Sequence, residues 1–341
     1  MTMTDRAGAQ DFTRYLGGME GQGAPLLGHL VLYSVCESQV TPGQLALWFD
    51  QLGLDKTWLP GEIRPVDVYE RITGPAGVKK TYPLGEPQTR SQVRRQGARG
   101  QTVTLMLRHV TRDTSVIVRH LVREVRDEEQ TRLSYTAKVA EVVFCRDPAP
   151  YAAHGAGTVK ITPELPALAA LPASEQDQVL DCLDDIKQEF ESGRLFLSSD
   201  RLRAMLRNYI ENFLPVRIRS GVYFVGRQHA ETLAKLRELV ARFASKSSLT
   251  RIPLPDQDEQ RDMIIAVFIS QTDDQIRKLS ADIRKAIDED ASEAVAQGLT
   301  RRFRELKATA QQHEQLLGAS IQDAHASMEI VEKQLRKLLD L

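Results

Sequence analysis

No run of about eighteen apolar residues occurs in this 341-residue chain, so no membrane-spanning helix is expected. Aromatic residues make up only 6%, which argues against a sugar-binding or antibody-like surface. Cysteines number three, Cys36, Cys145 and Cys182, and lie far apart. An odd, scattered set excludes a disulfide framework and points to buried free thiols in a reducing, cytoplasmic compartment. Residues 1–24 lack a basic start followed by an apolar core, so they read as a flexible arm and not as a secretory signal. Catalytic motifs are scarce too: there is no phosphate loop of Walker type, no nucleophile elbow and no His-Glu-x-x-His helix. Gly21-Gln-Gly23 and Gly155-Ala-Gly157 lack the strand-before, helix-after setting of a dinucleotide site. No enzyme activity, cofactor or metal is expected on these grounds.

What is present is a globular composition, 42% hydrophobic and 27% charged, with a formal net charge of −1. That length suits two or three domains. The charge is unevenly spread: between Arg64 and Arg126 there are 13 Lys/Arg against 5 Asp/Glu, an excess of 8. A local excess matters more than the total when a partner touches one face.

The pattern along the chain predicts an α+β protein. An apolar segment at 26–35 precedes Thr41-Pro42, an N-cap and first-turn proline opening a helix that Gly53 stops. A second helix runs from Pro65 to Gly74, and Trp48, Phe49 and Trp58 read as core of this small helical unit. Segments 102–110, 116–125 and 133–145, rich in Val, Thr and Leu and separated by short polar turns, predict an antiparallel meander. Five prolines between Pro148 and Pro172 mark a linker, 148–173, between a domain at 25–147 and one at 174–255.

In the second domain, helices at 174–192 (stopped by Gly193) and from Ser198 or Ser199 precede two short strands about Ser220-Gly221. A helix at 229–244 and a strand near 249–254 follow. Helix, turn, helix and hairpin is the order of a winged-helix domain. Residues 256–341 read as two long helices broken at Gly298, a hairpin or coiled coil about 60 Å long. Apolar stripes of that length predict self-association through the tail.

Candidate site residues follow from charge. Arg201, Arg203, Arg207, Arg217, Arg219 and Arg227 are opposed only by Asp200 and Glu211, and the loop residues Arg90, Arg94, Arg95 and Arg99 could add phosphate contacts. Strand alternation should send Arg217 and Arg219 out of one face. The expected function is nucleic-acid binding, DNA favoured over RNA, with a protein-binding scaffold as the alternative and a metal-dependent enzyme third. His109, His120 and Cys145 on neighbouring strands are metal-ligand types but read as ordinary sheet residues. Asp181, Asp184, Asp185 and Glu189 read as the solvated face of one helix.

Several strings, Gly28-His-Leu-Val-Leu-Tyr-Ser-Val35, Leu52-Gly-Leu54, Ile63-Arg-Pro-Val-Asp67, Val118-Arg-His-Leu-Val-Arg-Glu124, Gly221-Val-Tyr-Phe-Val225 and Glu259-Gln-Arg-Asp-Met263, resemble a family of uncharacterised proteins of actinobacterial genomes and their phages. The resemblance covers residues 26 to about 270. It implies a bacterial or phage cytoplasmic setting and carries no activity or site with it.

Overall fold

The computed structural model describes residues 25–84, 101–127, 132–148, 155–289, 291–317 and 322–339. The fold is α+β, with two antiparallel sheets in two compact units. One unit comprises the residues up to Ser38, Ala46–Leu59 and those from Ser199 onward. The other comprises Gln39–Leu45 and Pro60–Ser198.

In the unit built from Pro60–Ser198, five strands lie in the order β2-β3-β4-β5-β6. They are β2 (Lys79–Pro83), β3 (Thr102–Arg112), β4 (Val116–Arg126), β5 (Arg132–Arg146) and β6 (Gly157–Pro163). The expected meander forms the three central strands. Alternation along β3 buries Val103, Leu105 and Leu107 and turns Thr104, Met106 and Arg108 to the opposite face. The buried face packs on α2 (Pro65–Thr73) and α4 (Ala173–Leu195), which contribute Val66, Tyr69, Ile72, Val179, Ile186 and Phe190. The Tyr69 hydroxyl, fully buried, donates to the carbonyls of Ile117 (3.2 Å) and Val142 (2.8 Å), tying the helix to two strands.

Two expectations fail in this unit. The stretch 148–173 is not a plain linker: β6 pairs with β5 from Ala140↔Pro163 to Arg146↔Gly157, and the short helix α3 (Leu165–Ala169) follows. Pro163, Pro166 and Pro172 sit where a missing N–H costs little, at the end of edge strand β6 and at the starts of α3 and α4. Residues 149–154 lie outside the described residues. Gly193 does not stop α4, which continues to Leu195. A Cβ there would lie 2.5 Å from Val68 Cγ1, so the glycine permits close approach of α2 to α4.

The other unit holds a four-stranded sheet in the order β7-β8-β1-β9. Its strands are β1 (Leu26–Ser34), β7 (Val216–Arg219), β8 (Val222–Gly226) and β9 (Ser248–Pro255). The sequence places β1 with the N-terminal helical unit; the structure pairs it with strands about two hundred residues later. Trp48 and Phe49, on α1 (Pro42–Leu52), likewise pack on this unit: Trp48 stacks on Phe243, and Phe49 and Trp58 meet Tyr209. The start of α1 is as expected, with a reciprocal capping box: the Gln44 amide N–H donates to Thr41 Oγ1 (3.1 Å), and the Thr41 N–H donates to Gln44 Oε1 (3.0 Å).

The winged-helix arrangement does not form. Its two helices, α4 and α5 (Ser199–Glu211), belong to different units. The hairpin turns at Ser220-Gly221, with Gly221 at φ 79°, as the sequence suggests. It is no free wing, however, because the other edge of β8 is hydrogen-bonded along β1. Helix α6 (Ala230–Ala241) lies between β8 and β9 in the chain.

The tail forms three helices instead of two: α7 (Asp258–Asp288), α8 (Glu293–Leu317) and α9 (Gln322–Leu339). Their stripes share one core with sheet residues Leu27, Val216, Phe224 and Leu254; Ile264, Ile283, Phe303 and Val331 are among the side chains buried there. Among the described residues, much of the apolar surface behind the expected self-association is therefore covered within the chain. Gly298 lies inside α8, not at a break, and a Cβ at that position meets nothing within 4 Å. Gly298→Ala should therefore stabilise the protein by about 0.5–1 kcal/mol, through helix propensity and a less flexible unfolded chain. Urea denaturation followed by circular dichroism should show the higher midpoint.

Candidate nucleic-acid interface

Helix α5 buries Leu202, Leu206, Tyr209 and Ile210, so residues 203 and 207 stand on its outer side. The helix begins with Ser199, whose hydroxyl donates to Glu37 Oε1 (2.6 Å). Arg203 is already engaged within the chain. It pairs with Asp200 and donates to the Val35 carbonyl (3.0 Å), fastening α5 to the chain after β1. Arg201 is half-buried.

Arg207, Arg217, Arg219 and Arg227 are exposed and form no ion pair among the described residues. Two of them, Arg207 and Arg217, are associated with one pair of rings. Arg217 lies directly opposite Tyr223 on the neighbouring strand. Tyr223 stacks on Tyr33, with centroids 6.4 Å apart and planes 10° from parallel. Burial, followed by the charge and hydrogen bond of Tyr223, pushes the Tyr33 phenol up to about 12, while the Arg207 cation pulls it the other way. Tyr33 thus remains a neutral hydroxyl near pH 7. Arg227 lies away from this group, in the single 3₁₀ turn Arg227–His229 after β8.

The expected alternation of Arg217 and Arg219 is broken by a register shift between them, where β7 has one more residue than β8. Both nevertheless line one open groove of about 880 Å³, walled by the hairpin, α7 and α8. The backbone of Arg217 is held there by Gln271 of α7. Its N–H donates to Gln271 Oε1 (3.2 Å), and the Gln271 amide donates back to the Arg217 carbonyl. This side-chain amide satisfies the outer edge of β7 in place of another strand.

The groove adds Lys278 and Arg302, which sequence reasoning missed because both sit on the tail, far from the hairpin in the chain. Arg302 pairs with Asp282 (2.9 Å). Glu211, Asp274 and Glu305 line the same groove. Arg90, Arg94, Arg95 and Arg99 lie outside the described residues, in the connection from β2 to β3.

The metal-type residues are scattered. His120 Nε2 stands 3.5 Å from Glu141 Oε2, His109 is opposite Arg119, and Cys145 is opposite Val116, four residues along the strand from His120. Asp181 of the acidic helix pairs with Lys80 (3.1 Å). Among the described residues no group of three His, Cys, Asp or Glu side chains could hold a metal ion. All three cysteines are free thiols; Cys182 is buried, and that burial, with Asp185 second, pushes its thiol up to about 11. Cys36 and Cys145 are half-buried. No helix among the described residues is long and apolar enough to cross a membrane.

Comparison with curated proteins gives no match, and comparison with solved structures gives none either. A family model matches residues 26–340, extending through the three tail helices and so beyond the span the sequence resemblance suggested. The chain belongs to this family, described as a family of unknown function (DUF6744).

Proposed function

We propose that this protein binds nucleic acid through phosphate contacts made by Arg207, Arg217 and Arg219, without catalysing a reaction. The observation that carries this reading is that these exposed guanidinium groups form no ion pair among the described residues, whereas Arg203, on the helix of Arg207, pairs with Asp200 and the Val35 carbonyl. An unpaired arginine offers several N–H donors in a fixed fork that suits phosphate oxygens. Lys278, in the same groove, adds a cation from the tail.

Fluorescence anisotropy with labelled duplex and single-stranded oligonucleotides, repeated over a range of salt concentrations, tests the reading. Each phosphate contact on duplex DNA contributes about 0.9 to the slope of log affinity against log salt. Arg217→Ala with Arg219→Ala should therefore flatten the slope by about two units. The melting temperature should hold, because both side chains are exposed. An unchanged slope would remove these arginines from the interface, and no binding by the wild type would end the nucleic-acid reading. The carboxylates of Glu211, Asp274 and Glu305 favour a second reading, in which the groove takes a polypeptide segment carrying both charges.

A further inference from the structure

The unit built on the five-stranded sheet carries a second cationic hollow, of about 330 Å³, at the β2 edge. Its charged lining among the described residues is Lys79 of β2, Arg108 of β3 and Arg126 of β4; Thr104 adds a hydroxyl, and no described carboxylate lines it. The sheet itself brings these groups together. Lys79 is paired opposite Met106, and Thr104, Met106 and Arg108 share the face of β3 turned away from the helices.

Several other cations of this unit find carboxylates: Lys80 takes Asp181, Arg112 takes Glu70, Arg123 takes Glu175, and Lys138 takes Glu141 and Glu164. Lys79 and Arg108 are exposed and form no ion pair among the described residues. Arg126 gives its Nε–H to Glu124 (2.5 Å), whose side chain is fully buried, and Arg126 also lines the hollow. Counting Glu124 against Arg126, two positive charges remain uncompensated around one concave space. Like charges held together gain most from an anion that bridges them.

We infer that this hollow is a phosphoryl-anion site, with Lys79 as the point charge, Arg108 as the forked donor and Thr104 as a hydroxyl donor. Resting on the nucleic-acid reading above, the phosphoryl group it takes is one of a nucleic-acid backbone. A free phosphorylated small molecule would offer the same oxygens.

The test titrates full-length protein first with inorganic phosphate and then with duplex oligonucleotide. Phosphate should give saturable amide shifts in two-dimensional NMR at Lys79, Thr104 and Arg108, lost in Lys79→Ala with Arg108→Ala and in the milder Lys79→Gln with Arg108→Gln. The same variants should flatten the oligonucleotide salt slope by about two units, added to the loss from Arg217→Ala with Arg219→Ala. Absence of saturable phosphate shifts at these residues in the wild type would overturn the site. Phosphate binding with an unchanged oligonucleotide slope would overturn its assignment to a polymer and leave a small phosphorylated ligand. If the wild type binds phosphate here but no oligonucleotide at all, the nucleic-acid reading of the arginines fails while the anion site stands.

Discussion

A chain begun at Cys36, and so lacking residues 1–35 with β1 among them, should lose the fold of the four-stranded sheet while keeping that of the five-stranded one. β1 lies between β8 and β9 and pairs with both, from Gly28↔Gly226 to Leu32↔Val222 on one side and from Leu26↔Pro255 to Ser34↔Ser248 on the other. Without it, β9 has no strand partner, and β7 with β8 becomes an isolated two-stranded hairpin, which is marginal in water. Leu27 and Val31, 2% and 0% exposed, would leave their places in the core as well. The hydrophobic cluster of the other unit runs from Val66 to Phe190 and draws nothing from β1. Hydrogen exchange should therefore show rapid loss of protection in β8 and β9 and retained protection in β3, β4 and β5. Restoring residues 25–35 as a separate peptide should recover part of the protection. Normal protection of β8 and β9 in the shortened chain would mean that the tail helices alone hold the hairpin in place.

Glu175→Ala should be among the most damaging single substitutions in the five-stranded unit. Glu175 reaches from α4 to the sheet, where Arg123 Nε donates to Oε2 (2.9 Å) and Arg123 Nη2 to Oε1 (3.0 Å). The Tyr82 hydroxyl donates to Oε2 as well (3.0 Å). Glu175 and Arg123 are only 5% and 8% exposed. Burial, with the adjacent carboxylate second, raises the Tyr82 phenol well above its ordinary range, so this hydroxyl stays a donor. Removing the carboxylate strands a guanidinium in a dry site, at a cost of about 3–5 kcal/mol. For a unit of this size that corresponds to a melting temperature lower by on the order of 10 °C. Replacing the pair together, Arg123→Met with Glu175→Leu, should be close to neutral or stabilising, since neither charge is then left alone. Equal damage from the single and double replacements would show that packing, not the charge pair, sets the stability here.

Neither of these dependences is visible in the linear sequence, although many local features are. Thr41, Pro42 and Gln44 announce the start of α1 because a helix start needs side-chain acceptors for its first N–H groups, and those lie within three residues. Ser220-Gly221 announces the hairpin because the turn needs a residue at positive φ. The central meander is legible from its β-branched runs and short turns, and the tail stripes from their three- and four-residue spacing. The cationic character of α5 and β7 is legible as well, as plain composition.

The tertiary structure alone decided which of these pieces belong together. Backbone hydrogen bonds between strands carry no residue code, so nothing in 26–34 names 222–226 and 248–255 as its partners. Gly193 resembles a helix stop until Val68 is seen against it, and the prolines of 148–173 resemble a linker until β6 is seen at a sheet edge. The tail stripes read as exposed until α7, α8, α9 and the sheet are seen to bury one another. The same limit applies to the candidate sites. Sequence counts arginines, but only the fold brings Arg203 to the Val35 carbonyl, leaves Arg207, Arg217 and Arg219 open, and gathers Lys79, Arg108 and Arg126 around one hollow. Helix caps and turns are settled by atoms a few residues apart, whereas the partner of a strand or a charge is whatever the folded chain brings within reach.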